Sequence, residues 1–245
     1  MSEKLKVLEW DSAFFSRKIA CLYDAGLLLG CAAEFHKWVA DNKVDCVYFL
    51  AQAADIEPIR LAESQGFKLV DLRLTLSQDL DVCQVASDAR SLIRKVERRD
   101  IAELKKIAGI SHRGSRFYRD GNFNAARCDN LYETWIEKSC DGFADAVFIV
   151  ELEKTAAGYI TCHLQGSTGA SIGLLGISES LRGQGVGRSL VTTALAWLRE
   201  QGRKSVSVAT QGHNISAQKL YQRCGFVSQM TEIWYHYWPR LQLDR

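Results

Sequence analysis

Ser180-Leu181-Arg182-Gly183-Gln184-Gly185-Val186-Gly187-Arg188 lies between an apolar run, Ile172 to Ile177, and a stretch with apolar residues at helical spacing, Gly187 to Glu200. Three alternate glycines let backbone N–H groups approach a ligand with no Cβ in the way. The helix that follows points its N-terminus, and the positive end of its dipole, at the same place. Such a turn binds phosphate, and here a pyrophosphate is expected. Two familiar alternatives are excluded by spacing. A dinucleotide fold needs GxGxxG, but Arg188 occupies the last glycine position and no acidic residue follows at the usual distance. A P-loop needs GxxxxGK[ST], which the chain lacks.

Outward from the turn, strand and helix patterns alternate. Upstream, Ala146 to Glu151, Gly158 to Leu164 and Ile172 to Ile177 read as strands, preceded by a strand at Ser91 to Val96. Asp100 is an expected N-cap for a helix through Ile107, and Leu131 to Ser139 reads as a second helix. Downstream, Gly202 ends the long helix, Ser205 to Ala209 is a strand, Ile215 to Arg223 a helix and Phe226 to Trp238 a final strand. Such alternation indicates an α/β layer structure.

The N-terminal part repeats a fragment of this order. Leu61-Ala62-Glu63-Ser64-Gln65-Gly66-Phe67 aligns with Leu220-Tyr221-Gln222-Arg223-Cys224-Gly225-Phe226, each between an apolar strand and an alternating one. The helix around Trp38 likewise resembles that around Trp197. The first part thus reads as a decayed half-copy without a glycine turn, with Ala62 where the other copy has Tyr221. Both apolar periods lapse between Asp79 and Ser91, which places the expected boundary there: a smaller α/β domain over 1–88 and the main domain over 89–245.

At 245 residues and 47% hydrophobic, the chain can bury a full core. A net charge of +2 is too balanced for a nucleic-acid or membrane-surface protein. The eight cysteines (21, 31, 46, 83, 128, 140, 162, 224) form no CxxC pair and no zinc-like cluster, so reduced thiols and no metal are expected. No apolar leader or membrane-length window occurs, and a cytoplasmic location is expected.

The sequence Arg182-x-x-Gly185-x-Gly187, after a strand and opening a helix, resembles the signature of the GNAT (GCN5-related N-acetyltransferase) family. Its companions follow in order: Asn214-Ile215-Ser216-Ala217-Gln218-Lys219-Leu220-Tyr221, then Gly225-Phe226, with Ile93-Arg94-Lys95-Val96, Asp100 and Leu104 upstream. The resemblance covers Ser91 to Trp238. It implies a mixed, mostly antiparallel sheet with splayed central strands flanked by helices, and acetyl-CoA as co-substrate. By that resemblance, the amides of Arg182, Gly183, Gln184, Gly185, Val186, Gly187 and Arg188 hold the pyrophosphate. A backbone N–H near Leu175, Gly176 and Ile177 polarises the thioester, and Asn214 bonds the pantetheine or caps its helix. A strand-interior glycine such as Gly176 often marks a bulge or a close backbone approach.

Tyr221 holds the family position of the general acid. A phenol near pKa ~10 is matched to a thiolate leaving group near ~8.5. The general base stays open among Glu179, His163, His112, Asp120 and an ordered-water path.

Acceptor choice lies outside the shared core. The segment Ser111 to Phe123 combines Arg113, Arg116 and Arg119 with Phe117, Tyr118 and Phe123. Arginines suit phosphates and rings suit stacking on a base or sugar. Arg113, Arg116, Phe117, Tyr118 and Asp120 are therefore the expected substrate-binding residues. HRGSRFYRDGNF, together with Leu8-Glu9-Trp10-Asp11-Ser12-Ala13-Phe14-Phe15, resembles the branch of the family that acetylates dTDP-4-amino-4,6-dideoxy-D-galactose for enterobacterial common antigen, the dTDP-fucosamine acetyltransferases. That resemblance implies a nucleotide-sugar acceptor and a homodimer. Two other readings stay open: a protein or small-amine N-acetyltransferase, and a non-catalytic acyl-CoA sensor.

Overall fold

The structure, a computed structural model, describes residues 3–30, 32–81 and 92–239. The expected boundary at 88/89, together with Cys31 and Cys83, lies outside them. In chain order the N-terminal elements are β1 (Leu5–Val7), α1 (Glu9–Phe15), β2 (Ile19–Leu22), α2 (Ala33–Asp41), β3 (Cys46–Gln52), α3 (Ile56–Ser64) and β4 (Lys68–Asp79). Then come β5 (Leu92–Lys95), α4 (Ile101–Ser111), α5 (Arg116–Asp120), α6 (Ala125–Lys138), β6 (Ala146–Leu152), β7 (Thr155–Gln165) and β8 (Gly169–Ile177). The chain closes with α7 (Val186–Glu200), β9 (Ser205–Gln211), α8 (Ile215–Arg223) and β10 (Val227–Tyr237).

These elements form two compact units, each discontinuous in sequence. One comprises Met1–Arg73, Ser115–Phe123 and Met230–Arg245; the other comprises Leu74–Gly114 and Asn124–Gln229. The chain crosses between them inside β4, on either side of α5, and inside β10.

In the second unit, β5, β6, β7 and β8 form an antiparallel meander, and β9 adds to β8 in parallel. A parallel neighbour requires a crossover, which α7 supplies. Leu190, Val191, Ala194, Leu195 and Leu198 of α7 are buried in one stripe, packed with Phe148, Val150, Ile160, Cys162 and Ile172. Alternate strand residues face the other way: the Tyr159 ring is fully buried, its hydroxyl 3.1 Å from His112 at the end of α4. The second helix starts six residues earlier than its sequence pattern predicts, because Asn124 accepts from the N–H groups of Ala126 and Arg127 and caps it.

In the first unit, β1 pairs with β2 antiparallel, β2 with β3 parallel, and β3 with the C-terminal half of β10 antiparallel. Phe35 and Val39 of α2 and Ala62 of α3 cover Val47, Phe49, Tyr235 and Tyr237. The opposite face carries Tyr48, Trp234 and His236 and meets α5, which belongs to this unit. A loop is predicted at α5; instead Arg116 to Asp120 makes a helical turn, closed by Gly121 at φ 75°.

The repeated fragment is repeated in three dimensions. β3 and β9 each span seven residues, and α3 and α8 each span nine. Gly66 and Gly225 follow them at φ 84° and 96°. Phe67 N–H donates to Ala62 O, and Phe226 N–H to Tyr221 O, both at 3.0 Å. Two chain segments therefore encode one helix ending.

Candidate active site

The glycine turn is built as the spacing implies, for two different reasons. Gly183 and Gly185 sit at φ 77° and 86°, backbone that L side chains avoid. Gly187 is ordinary helix, but a Cβ there would lie 3.0 Å from Ile177 Cδ1 on β8 and 3.1 Å from Leu220 Cδ2 on α8. The end of β8, the head of α7 and the middle of α8 thus converge on Gly187. Ser189 N–H is the first in α7 to reach a carbonyl behind it, Gly185 O at 3.1 Å. The N–H groups of Val186, Gly187 and Arg188 precede it and form the positive end of the helix. Arg188 is exposed on that first turn. Arg182 folds back, its Nε donating to Ile177 O at 3.4 Å, and Gln184 bonds Ser180 O at 2.7 Å.

Beside this turn the sheet opens. The β8–β9 ladder runs from Gly169–Ser205 to Ile172–Val208 and stops, although β8 continues to Ile177 and β9 to Gln211. A bulge starts where the ladder ends: Gly173 and Leu174 together oppose Thr161, whose Oγ1 accepts the Leu174 N–H at 2.8 Å. Ser178 N–H donates to Ala157 on the β7 side, at 2.9 Å. Strand alternation then turns the N–H groups of Leu175 and Ile177 to the opened edge. Gly176 lies between them opposite Tyr159, and a Cβ there would sit 2.6 Å from Tyr159 Cε1. The bulge is therefore at Gly173–Leu174, and Gly176 makes room for a ring.

Asn214 caps α8, its side chain accepting from Ala217 N–H at 3.2 Å. Tyr221 is buried, 5.6 Å from Phe226 edge to face, and burial pushes its phenol well above the usual value. A phenol so placed stays protonated at neutral pH.

The four candidate bases separate. Glu179 stands 77% exposed just past β8, 3.6 Å from Arg182. His163 lies opposite Ser171, where β8 and β9 are still paired, and burial lowers its pKa. His112 stacks on Tyr132 at 4.5 Å and bonds Tyr159, and desolvation pushes it down to about 4. Asp120 belongs to the other unit, where its carboxylate meets His236 Nδ1 at 2.5 Å, Trp238 Nε1 at 3.0 Å and Asn122 Nδ2 at 2.5 Å.

The expected acceptor residues are also divided. Arg113 is exposed and paired with Asp129 at 3.1 Å in the second unit. Phe117 is buried in the first, stacked on Phe15, with Tyr118 partly buried beside it. The Arg116 guanidinium lies over the rings of Tyr48, Phe117 and Trp234, with NH1 3.0 Å from His236 Nε2. Tyr48, Trp234 and His236 were missed from sequence, and so were Tyr159 and Thr161. A signal existed for two of them: Trp234 and His236 stand two residues apart on the last strand, with Trp238 two residues further, a polar-tipped face unlike a core.

Cys46, Asp120 and His236 also bring three potential metal-ligand atoms within 4.8 Å of one another. Arg116 can only donate, so His236 Nε2 must be an acceptor and Nδ1 carries the proton to Asp120. A metal at Nδ1 would put N–H on Nε2, facing the Arg116 N–H. Asp120 and His236 are better explained as members of a hydrogen-bond chain that starts at Arg116. Cys21, Cys46, Cys140 and Cys162 are free thiols, and burial pushes Cys162 up to about 12. Among the described residues, no helix is long and apolar enough to cross a membrane.

Residues 115–226 match the acetyltransferase (GNAT) family model. The chain is 27% identical over 235 residues to dTDP-fucosamine acetyltransferase of Escherichia coli O6:H1, covering 94% of this chain and 96% of that protein. It is 22% identical over 140 residues to the spore coat polysaccharide biosynthesis protein SpsD of Bacillus subtilis, covering 57% of this chain and 48% of the relative. Its fold is similar to that of a GCN5-related N-acetyltransferase from Sphaerobacter thermophilus, with TM-score 0.67, 16% identity, and 96% and 76% of the two chains covered. Enzymes of this family use acetyl-CoA as co-substrate. The splayed β8–β9 edge, the glycine turn and these likenesses agree: residues 115–226 carry a GNAT acetyltransferase domain, and the protein is an N-acetyltransferase.

Proposed function

We propose that this protein transfers the acetyl group of acetyl-CoA to the 4-amino group of a nucleotide-linked amino sugar, dTDP-4-amino-4,6-dideoxy-D-galactose or a close analogue, in surface-polysaccharide assembly. The observation that carries the transfer step is the parting of β8 from β9 beyond Ile172 and Val208, at the head of α7. The sugar acceptor is supported by the relatives that act in fucosamine and spore-coat polysaccharide chemistry.

In this reading the N–H groups of Gly183 to Arg188 hold the coenzyme pyrophosphate, with the helix dipole behind them. The Leu175 and Ile177 N–H groups extend a short ladder to the pantetheine and polarise the thioester carbonyl. The neutral sugar amine attacks that carbon, forming the C–N bond. Collapse of the tetrahedral adduct breaks the C–S bond, and Tyr221 gives its proton to the departing thiolate. The amine proton leaves through ordered water, since a His112 pushed down to about 4 is poorly matched to it at neutral pH. Of the expected acceptor residues, Arg116 is the one assigned to the acceptor.

Coenzyme A thiol release with acetyl-CoA and a panel of amines tests the reading. Turnover of dTDP- or UDP-linked amino sugars is expected. Turnover confined to peptides or polyamines would replace the acceptor, and no turnover with any amine would leave an acyl-CoA-binding protein.

A further inference from the structure

The Arg116 guanidinium is held in an unusual way. Three ring centroids lie close to it, Trp234 at 3.9 Å, Tyr48 at 4.3 Å and Phe117 at 4.4 Å, so its orientation is fixed by stacking. NH1 is spent on His236 Nε2 at 3.0 Å. Behind it, His236 is buried and gives its Nδ1 proton to Asp120, which also takes Trp238 Nε1 and Asn122 Nδ2. Three donors compensate the Asp120 charge, and the neutral imidazole insulates it from the guanidinium.

The positive charge of Arg116 is not compensated at contact distance in the same way. Among the described residues, no carboxylate lies within ion-pair distance of it, and its other N–H donors keep their capacity. Asp11 on the partly buried face of α1 acts on it from farther away, as charge alone. A chain that fixes one edge of a guanidinium and covers its faces leaves the remaining edge as a preoriented fork, which matches the paired oxygens of a phosphate.

We propose that Arg116, within the Tyr48–Phe117–Trp234 cage, is an anion subsite that binds a phosphate of a nucleoside diphosphate, and that His236 and Asp120 are its positioning residues. This assignment rests on the acceptor reading above and names the group that reads the nucleotide. Phosphate could come from the acceptor or from coenzyme A, and the test separates the two sources.

Calorimetric titration of the full chain with dTDP is the primary measurement, with inorganic pyrophosphate and coenzyme A as separate arms. Arg116→Met preserves side-chain volume but removes the fork, and is expected to weaken dTDP at least tenfold while coenzyme A binding stays within twofold. Asp11→Asn removes the opposing charge and should tighten dTDP about threefold, a gain that damage to the fold does not produce. His236→Phe should weaken dTDP, whereas His236→Gln, which can accept from Arg116 and donate to Asp120, should restore most of it. Absence of dTDP binding in the wild type, or an Arg116→Met variant with unchanged affinity, overturns the proposal. Equal losses for dTDP and coenzyme A overturn it in favour of a coenzyme phosphate. Titration needs no turnover, so failure to acetylate any amino sugar beside the expected dTDP responses would remove the acceptor reading and leave the subsite standing.

Discussion

Ala62 and Tyr221 are the seventh residues of two nine-residue helices, and each carbonyl accepts the N–H of a phenylalanine five residues later at 3.0 Å. The backbone is the same and the chemistry is not. Ala62 has no proton to give and is fully buried in an apolar cluster. The likeness of the two segments is consistent with duplication followed by loss of one copy's chemistry.

If Tyr221 is the proton donor, Tyr221→Phe removes one oxygen from a site whose packing is otherwise unchanged. General acids contribute about 10²–10⁴-fold. A fall in kcat of at least about 10²-fold is expected, with the KM for acetyl-CoA within about twofold. Steady-state kinetics with a thiol reagent check this, and an unchanged kcat would remove Tyr221 from the role.

Gly176 and Tyr159 form a size-matched pair. Gly176→Ala would drive a methyl to 2.6 Å from the Tyr159 ring, and overpacking of this kind costs about 1–3 kcal/mol. A lower urea midpoint is expected, together with a raised KM for acetyl-CoA as the opened edge shifts. Tyr159→Phe should not relieve the clash, because Cε1 and Cζ remain; Tyr159→Leu should. A double variant with Tyr159→Leu no more stable than Gly176→Ala alone would show that the strain lies elsewhere.

Much of this was legible in the chain, and the reason is periodicity. The helix Ile215 to Arg223 was read to the residue, because Asn214 caps it and Gly225 ends it. The glycine turn was read through φ, which only a few residues tolerate. Tyr159 and Thr161 were not legible, because their roles depend on which β8 residue lies opposite, a register that a single strand does not contain. The Arg116 segment was read as a loop offering arginines to phosphates and rings to a base or sugar. The structure stacks its central arginine on Tyr48 of β3 and Trp234 of β10, both far away in sequence. Arginine over an aromatic face is a tertiary event, and local pattern is silent about it.

Thr161 is expected to act on the coenzyme without touching it. Its Oγ1 replaces a strand acceptor for Leu174 N–H, at the residue where β8 bulges and leaves β9. Thr161→Val keeps the shape and leaves a buried N–H unpaired, a loss of about 1–3 kcal/mol. The KM for acetyl-CoA should rise while the acceptor KM changes little, and Thr161→Ser should restore it. A valine variant with wild-type KM would show that the bulge is held by the ladder alone.

Acid should loosen the fold through His236. Burial, offset in part by Asp120, pushes this imidazole from the ordinary 6.5 down to about 4. Between those values the unfolded chain binds a proton that the folded chain refuses, so stability is complete above about pH 6.5 and falls as pH drops toward 4. The span corresponds to about 3 kcal/mol at most, from 1.36 kcal/mol per pKa unit. His112 has the same sign, so subtraction is needed to isolate His236. Urea midpoints of wild type and His236→Gln should be compared at pH 7.5 and 4.5. The variant is expected to lose less stability on acidification. Equal losses would mean that His236 takes up its proton in the folded state, and that the Arg116 hydrogen bond breaks to let it do so.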